Sequence, residues 1–308
     1  MNSQDVKNAI SGALVVDKPV GMTSHDVVQV IRNGTGLRRA GHTGTLDPRA
    51  SGVLVILVGP AVRLSEYVSA SDKRYQAIIR LGGTTDTYDA DGKFTPSKDP
   101  LNVTETEFEE ALKTFIGEIE QTPPPYSAVK VQGRKAYEMA RKGEEVDLEP
   151  RKITVHHLEV LEWTPPEVVI DVHCSSGTYV RSLANDLGKK LGCGAYLVGL
   201  RRTKSGRFTL RDSVPLRKLQ EAFTAGNWYQ YLIPAAEALG DWPAVELNPD
   251  EVEGVRHGHR VKAKDADTVN EKVRGVSTQG ELVALMVKMV NEDGSIEWQP
   301  KKVFFTSD

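Results

Sequence analysis

An α+β protein on a mixed, mainly antiparallel sheet is what this sequence predicts, and three features carry the expectation. Val53 to Val58 is apolar at every position and largely β-branched, as in a strand buried on both faces. Lys73 to Leu81 alternates, with Tyr75, Ala77, Ile79 and Leu81 on one side and Arg74, Gln76, Ile78 and Arg80 on the other, the period of a half-buried strand. Segments with apolar residues at helical spacing interleave with such strands, which makes a mixed domain of catalytic size. The length, 308 residues, suits one large domain or one large and one small. With 39% hydrophobic and 26% charged residues, collagen, coiled coil and wholesale disorder are excluded. The longest apolar run falls far short of the roughly 20 residues a membrane-spanning helix needs. Met1 to Ile10 lacks a basic segment followed by an apolar one, so a soluble, cytoplasmic chain is expected.

Ala13 to Asp17 reads as a short buried strand, ended at Lys18-Pro19 because proline removes a ladder donor. From Thr23 or Ser24 to Asn33 a capping residue precedes Val27, Val28 and Ile31, and Gly34 is the expected stop. A loop rich in glycine and threonine, Gly41 to Pro48, leads into the buried strand, which is expected to sit centrally. Beyond Lys93, Thr104 and Glu107 form a capping box ahead of Phe108, Leu112, Phe115 and Ile116. The stretch from Pro123 to Arg151 differs from its surroundings. Consecutive prolines lead into Tyr126, Lys130, Arg134, Lys135, Tyr137, Arg141 and Lys142, with a short helix expected around Lys135 to Arg141. Glu138, Glu144, Glu145, Asp147 and Glu149 offset much of that charge, so a solvated excursion fits slightly better than an arm tracking a phosphate backbone.

Strands at Ile153 to Val160 and Val168 to His173 precede a helix from about Thr178 to Leu191, in which Val180, Leu183, Ala184, Leu187 and Leu191 make one apolar stripe. Pro243 and Pro249 bracket a boundary that divides the chain into domains 1–244 and 245–308. Past it, Arg260 to Ala263, Val273 to Val276, Leu282 to Met289 and Val303 to Phe305 are expected as short strands, with turns at Gly280 and Asp293-Gly294, giving a small β-rich domain.

Two cysteines, Cys174 and Cys193, form neither a disulfide framework nor a CxxC pair, and seven histidines show no ligand spacing beyond His257-x-His259, which argues against a structural zinc. A net charge of -3 argues against an indiscriminate nucleic-acid coat but leaves room for a basic groove.

The most unusual local feature is Gly41-His42-Thr43-Gly44-Thr45-Leu46-Asp47-Pro48. It lacks the Gly-Lys-Ser/Thr ending of a phosphate-cradling loop. Pro48 biases Asp47 away from helical angles and so restricts how its carboxylate is presented, as suits a nucleophile or base, although most Leu-Asp-Pro triplets are turns only. Arg181 has Thr178, Gly177, Ala184 and Asn185 three and four positions away, so no acidic side chain is available for the usual local pair. Its partner is solvent or a group elsewhere in the chain, and a buried carboxylate it could keep ionised is the functional choice. Tyr75 falls on the apolar side of its strand and reads at least as well as a core aromatic as it does as a stacking or proton-transfer group, and Tyr179 is similarly ambiguous. Asp86, Asp89 and Asp91-Gly92 resemble a calcium loop superficially, but aligning the glycine at the sixth position puts Thr87 first and Lys98 twelfth, where carboxylates are required. Leu200 to Arg207 concentrates positive charge beside an expected strand end, either a solvated turn or a phosphate-contact patch.

Taken collinearly, several fragments resemble the bacterial TruB family of pseudouridine synthases: Asp17-Lys18-Pro19-x-Gly21-Met22-Thr23-Ser24, Gly41 to Pro48, Lys73-Arg74-Tyr75 and Asp86-Thr87-x-Asp89-Ala90-Asp91-Gly92. The likeness continues through Pro124-x-Tyr126-Ser127-Ala128, Gly177-Thr178-Tyr179-x-Arg181-Ser182-Leu183, Leu191-Gly192-Cys193-Gly194-Ala195 and Leu200-Arg201-Arg202. The resemblance implies isomerisation of the T-loop uridine of tRNA, position 55, to pseudouridine, without cofactor or metal, and without membrane or obligatory protein partner. By similarity Asp47 is the catalytic aspartate and Arg181 its ion-pair partner. Because the target must be flipped from a stacked loop, the likeness implies that His42 fills the vacated space. Tyr75 stacks on the base and takes part in removing its C5 proton, and Tyr179 and Leu200 complete the pocket. Lys18 and Pro19 support the catalytic loop, and Arg63 stands where many relatives carry lysine, which keeps the charge but changes its geometry.

The resemblance also turns the basic excursion from Pro124 to about Arg151 into a thumb-like insertion closing over the T arm. It makes 245–308 a PUA-like RNA-binding domain, in which Arg256, Arg260, Lys262 and Lys264 are nearly balanced by Glu251, Glu253, Asp265 and Asp267. Three competing readings are a guide-RNA-dependent synthase of the dyskerin type, an RNA-folding helper without turnover, and a metal-dependent hydrolase built on Asp86, Asp89 and Asp91.

Overall fold

The computed structural model describes residues 10–304 apart from 98, 100, 101, 132, 145 and 264–269. The expectations that involve residues 1–9, Lys98, Glu145, Lys264, Asp265, Asp267 and Phe305 lie outside the described residues. In chain order the elements that matter here begin with β1 (Gly12–Lys18), α1 (Ser24–Thr35), β2 (Ala40–His42), β3 (Ala50–Val58) and β4 (Lys73–Leu81). They continue with α2 (Glu105–Lys113), β5 (Gly117–Gln121), β6 (Arg151–Thr164), β7 (Glu167–Cys174), α3 (Val180–Leu191), β8 (Ala195–Ser205) and α4 (Leu216–Ala225). The last group is β9 (Ala244–Leu247), α5 (Pro249–Arg256), β10 (Val261–Lys262), β11 (Lys272–Ser277), β12 (Leu282–Val290) and β13 (Ile296–Val303).

Two compact units share the chain. The first runs through Asp47, resumes for Leu54–Ser69 and takes everything from Arg207; the second holds Pro48–Val53 and Ala70–Gly206. The strand β3 is therefore divided, its first residues in the second unit and its later ones in the first.

In the first unit β1 lies beside β3, with short strands at Val214–Pro215 (parallel) and Ile233–Pro234 (antiparallel) on β1, and β2 antiparallel to the far end of β3. Residues Val53 to Val58 are all fully buried, as their apolar run requires. Helix α1 starts on a complete capping box between Thr23 and Asp26. It passes through Gly34 and ends one turn's fraction later, at Gly36 with φ 69°, which corrects the expected stop. The reason is packing: a β-carbon on Gly34 would lie 2.1 Å from the Phe223 ring of α4, so that glycine lets two helices meet rather than ending one.

The same unit contains a second sheet, ordered β9-β11-β12-β13-β10, wrapped around Leu247, Val255, Val261, Val273, Met286 and Trp298. Its last strand occupies Ile296–Val303, so the expected strand at Val303 to Phe305 begins where the real one stops. The irregular pairing of Leu285 with Lys302 and Met286 with Pro300 hides the two-residue period there.

In the second unit the order is β3-β8-β4-β7-β6-β5; the β3–β8 pair is parallel and the rest are antiparallel. Helix α2 opens on the Thr104–Glu107 capping box and sets Phe108 against Trp163, ring centroids 5.3 Å apart. Leu200, Arg201 and Arg202 lie in mid-strand, opposite Ala50, Ser51 and Gly52, rather than at a strand end. Arg202 is only 2% exposed and donates from Nε to the Val53 carbonyl at 2.7 Å, which removes it from any solvated turn or phosphate patch. Gly52 makes that register possible. Its φ is 98°, and a β-carbon there would sit 2.2 Å from the Arg202 carbonyl oxygen. Gly52→Ala is expected to lower unfolding free energy by at least about 2 kcal/mol, combining left-handed strain with overpacking against backbone; urea denaturation measures it.

Candidate active site

Asp47 ends the first segment of the first unit, and a sequence of side-chain contacts prepares its position. Lys18 is completely buried, and its ammonium donates to the carbonyls of Pro19 (2.9 Å) and Met22 (2.6 Å), which fixes the turn before α1. Two residues on, Ser24 makes reciprocal bonds with Leu46: its Oγ accepts from the Leu46 amide at 2.8 Å and donates to the Leu46 carbonyl at 3.1 Å. The Thr43 amide donates to the Val55 carbonyl at 3.1 Å, and His42 pairs with Ile56 across β2 and β3. The loop is thus pinned at Thr43 and Leu46, and Asp47 follows the second pin by one residue, with Pro48 restricting its backbone from the other side. Ser24 was absent from the sequence-based set of site residues. Its signal is a serine directly after an N-cap, buried where helix starts are ordinarily exposed.

Arg63 has partners of its own in this unit. Its guanidinium donates to the Val303 carbonyl at 2.7 Å and lies 5.3 Å from the centre of the Phe304 ring. Lys302 donates back to the Arg63 carbonyl at 3.0 Å and pairs with Glu66.

In the second unit Tyr75 and Leu200 share a sheet face. Tyr75 lies opposite Arg202, and Ala77 opposite Leu200, so alternation places the four side chains on the same side of β4 and β8. Tyr75 is 9% exposed. Beneath this strand end Lys73 is buried, and loss of hydration together with the nearby Arg202 charge pushes its pKa down to about 8.

Arg181 is buried, with an acidic partner far away in sequence. Its guanidinium approaches Asp89 Oδ2 at 3.4 Å and donates to the carbonyls of Thr87 (3.3 Å) and Tyr126 (3.1 Å). Side-chain exposures of 8% for Arg181 and 15% for Asp89 make this a desolvated pair. Asp89 is fixed in turn: Oδ1 accepts from Thr87 Oγ1 at 2.6 Å and from the Asp91 amide at 3.0 Å, and its carbonyl accepts from Thr85 Oγ1 at 2.7 Å. The Tyr88 carbonyl accepts from the Leu197 amide at 3.0 Å, which ties this loop to β8, the strand of Leu200. Asp86 accepts from the Lys93 amide at 2.7 Å, and Asp91 pairs with Arg49. All three loop carboxylates are therefore engaged by this chain's own donors, which is a different use from the metal-holding one.

Tyr179 is held by its backbone. Gln121 at the end of β5 accepts from the Tyr179 amide at 2.8 Å and donates to its carbonyl at 3.0 Å, while the Tyr179 side chain packs on Val129, Ala136 and Leu148. Those three belong to the Pro124–Arg151 excursion, which thus has a small core of its own. It also has a hairpin of Lys130–Val131 with Arg134–Lys135, a short helix at Ala136–Ala140 and a two-pronged Arg134–Glu144 pair at 2.9 and 2.8 Å. Gln121 carries no sequence signal by type or spacing, and Ser127 enters only as part of the Pro124-x-Tyr126-Ser127-Ala128 fragment. Ser127 stands out in the structure because its hydroxyl is buried without a hydrogen-bond partner beside Tyr126.

Comparison with known proteins follows the same lines. The model of the TruB family pseudouridylate synthase N-terminal domain matches residues 32–180, and that of the tRNA pseudouridylate synthase B C-terminal domain matches residues 181–239. tRNA pseudouridine synthase B of Symbiobacterium thermophilum is 47% identical over 257 residues, covering 82% of this chain and 84% of that protein. Its counterpart in Pseudomonas aeruginosa is 41% identical over 264 residues, 85% of this chain and 86% of that one. Among solved structures, a chain of a Cbf5-Nop10-Gar1 complex is 29% identical with a TM-score of 0.73, covering 98% of this chain and 87% of that one. Another, from an H/ACA RNP bound to a substrate RNA containing 2'-deoxyuridine, is 28% identical with a TM-score of 0.72, covering 96% and 85%. With sequence and fold in agreement over most of its length, the chain belongs to the TruB family of pseudouridylate synthases.

Proposed function

We propose that this chain is a stand-alone, cytoplasmic tRNA pseudouridine synthase that converts the T-loop uridine, position 55, to pseudouridine. The observation that carries the proposal is the match to proteins named tRNA pseudouridine synthase B at 41–47% identity, stronger than the 28–29% to chains of an H/ACA RNP and of a Cbf5-Nop10-Gar1 complex. In the reaction the bond from ribose C1′ to uracil N1 breaks, the base turns, and C1′ bonds to C5. The C5 proton leaves to water and N1 regains one, so atoms and electrons balance without a redox partner.

Asp47 supplies the reacting carboxylate, either by attacking a carbon or by removing a ribose proton; both need an ionised group held at a fixed angle. Arg181 supplies the cation that keeps it ionised, and the Asp89, Thr87 and Tyr126 contacts set its guanidinium before substrate arrives. Tyr75 and Leu200, which share one sheet face, form a wall for the flipped uracil with Tyr179, and Tyr75 assists loss of the C5 proton. His42 enters the space the base leaves, offsetting part of the few kcal/mol of unstacking. Lys18 has no exposed surface and serves the loop through Pro19 and Met22, whereas Arg63 offers its remaining donors to phosphate. The excursion 124–151 acts as a thumb on the T arm, and 245–308 as a small RNA-binding domain.

The test is incubation of the purified chain, with no guide RNA and no second protein, with an unmodified tRNA transcript labelled with tritium at uracil C5. Tritium release to water is expected, confined to position 55. Release that requires an added guide RNA or partner protein overturns the stand-alone reading. Raising salt from 50 to 200 mM should raise KM steeply with little change at saturating tRNA, because phosphate contacts carry capture. EDTA should leave the rate unchanged, which separates this reading from a hydrolase using Asp86, Asp89 and Asp91.

A further inference from the structure

Away from these residues, the second unit brings two imidazoles and a carboxylate together through an irregularity in its sheet. Asp72 immediately precedes β4. Strand β4 pairs with β7, setting Lys73 opposite Cys174 and Arg74 opposite His173. On the other side of β7, Val155 of β6 lies opposite Cys174 but His157 lies opposite His173, so His156 is the additional residue of a bulge. A bulge redirects one side chain out of the regular alternation, and here it swings His156 beside His173, ring centroids 4.8 Å apart. Both Nε2 atoms converge on one oxygen, Asp72 Oδ2, at 3.2 Å from His156 and 3.9 Å from His173. All three ligand atoms lie within 4.8 Å of one another.

We infer that Asp72, His156 and His173 form a binding site for a late first-row divalent cation, zinc foremost. Zinc bonds to imidazole nitrogen and carboxylate oxygen at about 2.0–2.2 Å, so tetrahedral donors stand about 3.3–3.5 Å apart. The observed spacings bracket that value, and the side chains, 36–49% exposed, can close the difference by rotation. Two imidazoles with one carboxylate select zinc, cobalt or nickel over magnesium and calcium, which prefer all-oxygen shells. The neighbouring cation Arg74 is already bound to Asp171 by two contacts of 2.9 Å, which tempers its repulsion of a metal. Cys174 falls on the opposite sheet face from His173 by alternation and is fully buried, so water completes the shell. The ion clamps the start of β4 to β6 and β7. It has no part in the isomerisation, and the inference rests on nothing in the proposed function.

Linear spacing cannot reveal such a set, since two members come from neighbouring strands, the third precedes another, and the decisive feature is the bulge.

The full chain, stripped with EDTA and desalted, is titrated with zinc chloride in a calorimeter, with magnesium chloride as control. One equivalent of zinc is expected to bind, to raise the melting temperature, and to be matched by no magnesium response. Asp72→Asn, His156→Gln and His173→Gln should each weaken binding more than about tenfold. His257→Gln, at the exposed pair of histidines just past α5, should bind as the parent does. Circular dichroism confirms that the variants fold; Asp72 and His156 are exposed, so at least those two provide a folded comparison. Absence of saturable zinc binding in the parent overturns the inference, as does undiminished binding in Asp72→Asn and His156→Gln. Loss of binding in His257→Gln alone assigns the metal elsewhere and equally overturns it.

Discussion

Asp47→Asn is expected to reduce tritium release by about 10²- to 10⁴-fold or more while leaving tRNA affinity within roughly twofold of the parent. The lower range is what a positioned proton-transfer group contributes; a carboxylate that attacks carbon leaves only background when replaced. Asparagine keeps the shape, and the loop's pins at Thr43 and Leu46 do not involve the Asp47 side chain, so the backbone should hold. A gel-shift titration beside the release assay separates the two effects. An RNA-folding helper predicts that assistance to misfolded tRNA survives the substitution, so that readout also measures whether both activities coexist. Wild-type release rates in Asp47→Asn would remove the carboxylate from the chemistry and with it the proposed mechanism.

Arg181→Met should act on stability and turnover together, which is why it needs a companion. Removing one member of a buried ion pair typically costs about 3–5 kcal/mol because the other charge stays behind, and here the Asp89 carboxylate keeps its bonds from Thr87 and Asp91 but loses its buried cation. The carbonyls of Thr87 and Tyr126 lose donors as well. In Arg181→Met/Asp89→Asn the stranded charge is gone, so denaturant stability should return most of the way. Tritium release should stay at least about 10²-fold down, since the cation that the proposed function assigns to the reaction is still missing. Recovery of both stability and release in the double variant would make Arg181 an anchor of the 85–91 loop and nothing more.

Much of the scaffold was legible because local rules governed it. The Thr23 and Thr104 capping boxes, the buried run from Val53 to Val58 and the alternation from Lys73 to Leu81 all appear as their residues dictate. Local reading failed where a distant partner set the outcome. Gly34 carries a helix through because Phe223 needs the room, and Arg202 is buried because the Val53 carbonyl receives it. Arg181 showed the limit from both sides: the absence of an acidic neighbour on its helix was readable, but the identity of Asp89 was not, since only the folded 85–91 loop delivers it. Asp47 emerged from motif resemblance more than from physics, because a Leu-Asp-Pro triplet by itself says little. Gln121 carries no local signal because its importance lies in what it touches, and Ser24 is distinguished by a burial that only the fold supplies.

The division of β3 between two units bears on how the chain emerges during synthesis. One flank of this strand meets β1, made before it, but the other must wait for Leu200 to Arg202. At roughly 5–20 residues per second on a ribosome, that edge stays open for on the order of ten seconds, with some of the stickiest sequence in the protein next to it. Newly made chains are thus most exposed to mispairing before β8 arrives, and a translational pause between these two segments would lengthen the hazard.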